Sequence, residues 1–130
     1  MKDNVVMDKS FAFAVKIVKL VKSIQDQKKE FILTKQLIRC GTSIGANIRE
    51  GNNGESKADF IHKLSIAQKE CSETIYWLEL LKETNYITDE QFTSVQSSAV
   101  ELIKLLTSIL KSAKVNINHW PLRIYNYPFN

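Results

Sequence analysis

The sequence predicts an all-α protein, an up-down-up-down antiparallel four-helix bundle with an extended C-terminal tail. Both prolines, Pro121 and Pro128, lie in the last ten residues, so long helices can form before them without interruption. Apolar residues recur at spacings of three and four in four successive segments, which is the helical period. We therefore expect residues 1–114 to form the bundle and residues 115–130 to form the tail, where an alternating pattern begins.

The first helix is predicted to begin at Asp8, a good N-cap residue, and to end near Gln27. Its predicted core face is the apolar stripe made of Phe11, Ala14, Val15, Val18, Val21 and Ile24. A band of lysines, Lys9, Lys16, Lys19 and Lys22, occupies the remaining surface. A solvated face is the ordinary interpretation of such a band.

The second helix, from about Phe31 to Glu50, carries Gly41 and Gly45 in its interior. Each interior glycine costs roughly 1 kcal/mol relative to alanine. We therefore expect another helix, the third, to approach closely at these points. The whole stretch CGTSIGANIREG (residues 40–51) is interpreted as an assembly seam, and the glycines and asparagines of residues 51–54 are expected to end the helix in a left-handed conformation.

The third and fourth helices are both introduced by a predicted capping box. Ser56 with Asp59 begins the third helix, which extends to about Thr84. Thr88 with Gln91 precedes the fourth helix, which extends to about Ala113. The third helix has apolar residues on two faces. The second face, which includes Trp77, indicates either a contact between subunits or a large core residue at Trp77.

Composition places the chain among ordinary soluble domains. Its 130 residues are 44% hydrophobic and 25% charged. It contains no apolar run of the ~20 residues needed to cross a bilayer, and its N-terminus lacks the apolar core of a signal peptide. We therefore expect a cytoplasmic protein with no membrane contact, and we expect Cys40 and Cys71 to be reduced and buried.

Positive charge is concentrated in the first half of the chain. Residues 1–70 contain 13 Lys/Arg and 8 Asp/Glu, a net charge of +5, whereas residues 71–130 contain 5 and 6, a net charge of −1. This asymmetry is compatible with a polyanionic partner such as RNA or DNA. The candidate nucleic-acid-binding residues are Lys16, Lys19, Lys22, Lys28, Lys29, Lys35, Arg39, Arg49, Lys57, Lys63 and Lys69. No aromatic residue is interleaved with them, so contacts to phosphate are expected rather than base stacking.

Catalytic chemistry finds little support in the sequence. The two histidines, His62 and His119, have no second ligand at metal-binding helical spacing. Neither glycine-rich stretch follows a strand, as a nucleotide-binding loop requires. We therefore predict no enzyme activity, no metal site and no cofactor.

Three polar residues lie at the end of the glycine-containing helix: Asn47, Arg49 and Glu50. Asn47 is a candidate for a buried polar network that fixes helix register, since helix propensity alone would not select it. Arg49 and Glu50 are candidates for a subunit contact. Structural roles are favoured for all three, because nothing nearby completes a catalytic set.

Two motifs carry a resemblance to a known family: LTKQLIRCGTSIGANIREG (residues 33–51) and SKADFIHKLSIAQKECSETIYWLELL (residues 56–81). They resemble the bacterial four-helix-bundle proteins encoded in intervening sequences of the large-subunit ribosomal RNA gene, whose relatives include accessory proteins of diversity-generating retroelements. The resemblance implies an antiparallel bundle that assembles as a ring, a homopentamer in characterised relatives. In the retroelement relatives it also implies a basic surface that contacts nucleic acid and the reverse transcriptase.

Two functional hypotheses follow. The first is a non-catalytic oligomeric scaffold that binds nucleic acid through its basic surface, as an accessory to an RNA-handling or reverse-transcribing partner. The second is a purely structural oligomer that binds a protein partner through the tail or the Trp77 face. Gly41, Gly45, Asn47, Glu50 and Trp77 are the predicted helix-packing or assembly residues under both hypotheses.

Overall fold

The helices pack in chain order, and the first also packs against the fourth, which closes the bundle. The computed structural model describes residues 4–115. Within this range the elements are α1 (Val5–Lys28), α2 (Leu33–Asn52), α3 (Lys57–Glu83) and α4 (Asp89–Val115). The predicted all-α, up-down-up-down bundle is therefore confirmed. Apart from Val115, which is the last residue of α4, the predicted tail lies outside the described residues.

Asparagine, serine and threonine side chains cap the starts of α1, α3 and α4. The Asn4 side chain accepts a hydrogen bond from the Met7 N–H at 3.2 Å, so α1 begins one turn earlier than the predicted Asp8 cap. The Ser56 hydroxyl accepts from the Asp59 N–H at 3.1 Å, as predicted. At α4 the Thr88 hydroxyl accepts from the Gln91 N–H at 3.1 Å, and the Gln91 side chain accepts from the Thr88 N–H at 2.9 Å. This reciprocal pair is the predicted capping box.

The predicted left-handed end of α2 is wrong. The helix continues through Asn52, Asn53 has a φ of −101°, and no glycine among residues 4–115 has a positive φ. Gly51 is required for a different reason. A Cβ atom there would lie 2.7 Å from Leu64 Cδ1, so its missing side chain allows α3 to approach the end of α2.

The inward face of α1 also differs from the predicted stripe. Val21 and Ile24 are buried as predicted, but Phe11, Val15 and Val18 are 60%, 38% and 37% exposed. The buried positions of α1 are Val6, Ser10, Phe13, Ile17, Leu20, Val21 and Ile24. Apolar residues occupy two faces of this helix, so periodicity alone could not identify the face that packs against the other helices.

Gly41 and Gly45 lie at the contact between α1 and α2. A Cβ atom on Gly41 would lie 2.9 Å from both Cγ atoms of Ile17, and one on Gly45 would lie 3.3 Å from the Ser10 hydroxyl oxygen. The closely approaching helix is therefore α1, and the expectation that it is α3 is wrong. Ile17 occupies the space that a side chain at position 41 would need.

Replacing Gly41 with leucine should destabilise the bundle by about 2 kcal/mol. The new side chain would overpack the contact with Ile17, and this cost exceeds the gain in helix propensity. Urea denaturation measures the change in the free energy of unfolding. Ser72→Leu, at an exposed position of α3, is the control and should change it by less than about 0.5 kcal/mol. Equal stability of the Gly41→Leu and wild-type proteins would contradict the close-contact explanation.

Candidate nucleic-acid interface

Two of the eleven predicted cations are engaged in ion pairs between α2 and α3. Arg39 pairs with Glu70 at 3.3 Å and with Glu73. Burial acts to lower the pKa of Arg39, but the carboxylates of Glu73 and Glu70 outweigh it and raise the pKa above its ordinary value. Lys63 pairs with Glu50 at 2.9 Å, and the hydrogen bond to Glu50 raises the pKa of Lys63. These two charges are largely balanced within the chain.

Three further cations are buried or turned to other contacts, and a fourth is exposed outside residues 19–35. The Lys16 ammonium donates to the Ser98 hydroxyl at 2.9 Å, which turns it toward α4. The Arg49 guanidinium lies 6.0 Å from the centre of the Phe11 ring. The Lys57 ammonium is buried with no hydrogen-bond partner among residues 4–115. Lys69 is exposed on α3.

The remaining five cations lie within residues 19–35, and we call them the lysine cluster. Its members are exposed and have no ion pair with a carboxylate of the described residues: Lys19, Lys22, Lys28, Lys29 and Lys35. They follow the outer face of α1, the α1–α2 turn and the start of α2. Residues 19–35 contain five lysines and two acids, Asp26 and Glu30, a net charge of +3.

The α1–α2 turn that carries the centre of the cluster is held by Glu30. Lys29 adopts a left-handed conformation with a φ of 55°, and its N–H donates to the Gln25 carbonyl at 3.2 Å. The Glu30 carboxylate then accepts three backbone N–H groups at the start of α2, from Ile32 at 3.1 Å and from Leu33 and Thr34 at 2.9 Å. Glu30 therefore satisfies donors that helix geometry leaves free.

Electrostatics at Glu30 favour the charged carboxylate. Burial acts to raise its pKa, but the hydrogen bonds from the backbone of Leu33, Thr34 and Ile32 outweigh burial, and the pKa lies below its ordinary value. The start of a helix also carries a partial positive charge, which favours an anion at this place. These bonds therefore hold the Glu30 carboxylate against the backbone at the start of α2.

Phe31 and Ile32 were missed as surface residues. They are 55% and 78% exposed at the tip of the turn, directly between Lys29 and Lys35. The sequence analysis begins the second helix at about Phe31 and expects no aromatic residue among the lysines; both expectations are wrong, since α2 begins at Leu33 and Phe31 lies between Lys29 and Lys35. The signal that could have found it is Glu30, whose capping bonds make α2 begin at Leu33 and leave two apolar residues outside the helix.

A second surface feature lies on the other half of α1. Phe11, Val15 and Val18 form an exposed apolar stripe along the helix. Beside it, a groove of about 970 Å³ is lined by Phe11 and Ala14 of α1, by Gly45 and Ala46 of α2, and by residues of the α2–α3 turn. An exposed apolar surface of this kind is typical of a contact with another molecule.

The other predicted assembly residues make contacts within the chain. The Asn47 amide donates to the Ser43 carbonyl of its own helix at 2.8 Å, and no hydrogen bond among residues 4–115 joins it to another helix. The Trp77 indole donates to Glu73 at 3.1 Å, and its ring makes an edge contact with Tyr76, whose ring centre is 5.1 Å away. Tyr76 is 56% exposed, so it forms the outer part of the Trp77 face.

Groups that commonly carry catalysis are buried or dispersed in the described residues. Burial raises the pKa of the Cys40 thiol and raises that of Cys71 to about 12, so neither cysteine is an activated nucleophile. No group of three or more His, Cys, Asp or Glu residues within positions 4–115 could hold a metal ion. His62 is exposed, and His119 lies outside this range.

None of the four helices α1 to α4 has the length and apolar character that crossing a membrane requires.

The fold and this charge distribution define a basic antiparallel four-helix-bundle protein. Residues 2–108 match the family model described as 23S rRNA-intervening sequence protein, and the chain belongs to this family. It is similar to a crystal structure from Bacteroides thetaiotaomicron VPI-5482, described as a protein with unknown function from the S23 ribosomal protein family. The two are 57% identical, with a TM-score of 0.81, over 82% of this chain and 98% of that chain. No curated protein matches the chain.

Replacing Glu30 with glutamine should lower the free energy of unfolding by about 1 kcal/mol at pH 7, because the charged cap of α2 is lost. The pKa of Glu30 is lowered in the folded protein, so its contribution is present above the unfolded-state pKa and is lost as the pH falls through the folded-state pKa. Urea denaturation at pH 7 and at the lowest pH at which the wild type remains folded should show a larger difference from wild type at the higher pH. Glu79→Gln, at an exposed position of α3, is the control. An equal loss at both pH values would contradict the charged-cap assignment.

Proposed function

We propose that this protein is a non-catalytic, cytoplasmic, oligomeric scaffold that binds nucleic acid through the lysine cluster. The observation that carries the proposal is the group of five exposed lysines with no ion pair among residues 4–115. Lysine contacts to phosphate release condensed counterions, and this gives affinity with little dependence on sequence. The proposal narrows the eleven predicted cations to the five that are exposed, unpaired among residues 4–115 and close together in the chain, within residues 19–35.

The oligomer in this proposal is a homo-oligomer, with five copies as the family resemblance implies. The apolar stripe of Phe11, Val15 and Val18 supports it, because covering these side chains with a second copy would remove apolar surface from water. Three members of the lysine cluster, Lys19, Lys22 and Lys28, lie further along the same helix. Assembly through the stripe would therefore repeat the cluster around the assembly, and several weak phosphate contacts would act together.

The proposed partner is RNA or DNA, together with an RNA-handling or reverse-transcribing protein. The name of the family refers to 23S rRNA, and the resemblance to retroelement accessory proteins points in the same direction. Within this proposal the bundle is an accessory that holds nucleic acid, and the partner protein supplies the chemistry.

The second candidate function is a structural oligomer that binds a protein and has no nucleic-acid role. The exposed ring of Tyr76 beside Trp77 favours it, since aromatic residues are enriched in protein interfaces. The predicted tail is the other candidate contact. The two functions differ in a simple way: the second predicts that the purified protein binds neither RNA nor DNA, even at low salt.

Binding of a labelled oligonucleotide should weaken steeply with salt. Five lysine contacts to a single strand predict a slope of log Kobs against log salt of about −3.5 per subunit. In Lys28→Gln/Lys29→Gln the slope should become shallower by about 1.4, because two phosphate contacts are lost. Fluorescence anisotropy at several salt concentrations measures both slopes.

The matched control for this experiment is Lys104→Gln/Lys111→Gln. It removes the same charge from exposed positions of α4, outside the cluster, and its slope should equal that of the wild type. Equal slopes for the wild type and both variants would contradict the assignment of the interface. Absence of binding by the wild type at low salt would contradict the function itself.

Val15→Glu should dissociate the oligomer, because a carboxylate in the centre of the apolar stripe would be costly to desolvate in an interface. Light scattering should give a multimer for the wild type and a monomer for this variant, with an unchanged helical circular dichroism spectrum. Ser97→Glu, at an exposed position of α4, is the control and should remain a multimer. A monomeric wild-type protein would rule out the oligomer and the repeated cluster together.

A further inference from the structure

The tip of the α1–α2 turn combines two chemical properties that phosphate binding alone does not need. Phe31 and Ile32 are the exposed apolar residues at this tip, and they lie between the lysines at positions 28, 29 and 35. Large apolar side chains at such exposed positions are unfavourable in water. A partner that covers them must offer both negative charge and an apolar surface at short range.

The backbone around Phe31 is held firmly, so the exposure of its ring follows from the local hydrogen bonds. The Glu30 carboxylate accepts the N–H groups of Ile32 and Leu33, the two residues that follow Phe31. The buried Thr34 hydroxyl donates to the Glu30 carbonyl at 2.8 Å and accepts from the Gln25 amide at 3.2 Å. The ring is therefore presented to solvent by a preorganised turn, which reduces the entropy lost when a partner binds.

Unpaired nucleic acid has the chemistry that this tip requires. Each nucleotide of a single strand offers a phosphate and an accessible base face, whereas a duplex buries its base faces in the stack. Aromatic side chains among basic residues bind single strands by stacking on bases, with little sequence preference. We propose that the tip selects single-stranded over double-stranded nucleic acid, with Phe31 stacking on an unpaired base and Lys28, Lys29 and Lys35 contacting the flanking phosphates. This inference rests on the proposed nucleic-acid function.

The charges around the tip favour a strand over an anionic membrane. The α3–α4 turn lies beside the end of α1, since Lys28, Asn85 and Asp89 line the same depression. It brings Asp89 and Glu90, the first residues of α4, to this end of the bundle. A flat anionic membrane would have to approach these carboxylates together with the lysines. A single strand is narrow enough to follow the α1–α2 side alone.

The test uses the full-length protein and a labelled oligonucleotide of mixed sequence, presented as a single strand and as its duplex at the same low salt concentration. The single strand should bind more tightly. Phe31→Leu should weaken single-strand binding about tenfold, the effect of one lost stacking contact, and should leave duplex binding unchanged. Phe31→Trp should retain the single-strand preference, because it keeps an aromatic face. Ile32→Ala is the matched control and should bind like the wild type, because it removes a neighbouring apolar side chain that has no ring.

Each other outcome overturns a defined part of this account. If the single strand and the duplex bind equally and Phe31→Leu has no effect, the stacking inference is wrong while the lysine-cluster function stands. If neither nucleic acid binds, the proposed function itself is wrong. The tip is a membrane contact if the wild type binds phosphatidylserine-containing vesicles and Ile32→Ala weakens its oligonucleotide binding. In that case Phe31→Leu should bind the oligonucleotide like the wild type. Circular dichroism of each variant separates these outcomes from loss of folding.

Discussion

The close contact between α1 and α2 is the constraint on which the described surface depends. Ile17 lies where a side chain on Gly41 would have to be. A Cβ atom added to Gly41 would be 2.9 Å from each Cγ atom of Ile17. This contact fixes the rotation of α1 about its axis, so Phe13, Ile17 and Leu20 face the core. The same rotation places Phe11, Val15 and Val18 outside. The glycines thus decide which apolar face of α1 remains exposed.

The second consequence of this rotation concerns charge. With Ile17 facing inward, Lys19 and Lys22 lie on the outer face of α1 and continue toward the α1–α2 turn. Glu30 then ends the turn by capping α2, and its three backbone hydrogen bonds hold its negative charge within the turn. The acid nearest to Lys29 in sequence is therefore occupied by the backbone. Helix packing and helix capping together leave the lysine cluster available to an anion.

The fold was largely predictable from the sequence because four long segments carry helical periodicity. In addition, Ser56 and Thr88 are of residue types that commonly cap the start of a helix. The failures have particular causes. In α1, Phe11 and Val15 lie on one face and Phe13 and Ile17 on another, so the choice between faces required the neighbouring helix. At α2, Gly51 indicated a helix end, but its missing side chain serves the approach of Leu64. Glutamate is an uncommon cap, and this concealed the exposure of Phe31.

The candidate site was predictable in composition but not in arrangement. Arg39 and Lys63 look like the other basic residues in the sequence, and only the packing of α2 against α3 pairs them with Glu70, Glu73 and Glu50. Pairing of this kind depends on residues that are 13 to 34 positions apart. A count of charges along the chain cannot distinguish paired from unpaired cations. The described contacts make that distinction, and they leave all five lysines of residues 19–35 unpaired.

The most direct test of this account is lysine footprinting of the full-length protein with and without bound single-stranded oligonucleotide. Acetylation of each lysine is measured by mass spectrometry at low salt. The account predicts protection of the cluster, Lys19, Lys22, Lys28, Lys29 and Lys35, with unchanged acetylation of Lys69, Lys104 and Lys111. Protection confined to the lysines of α3 or α4 would contradict it.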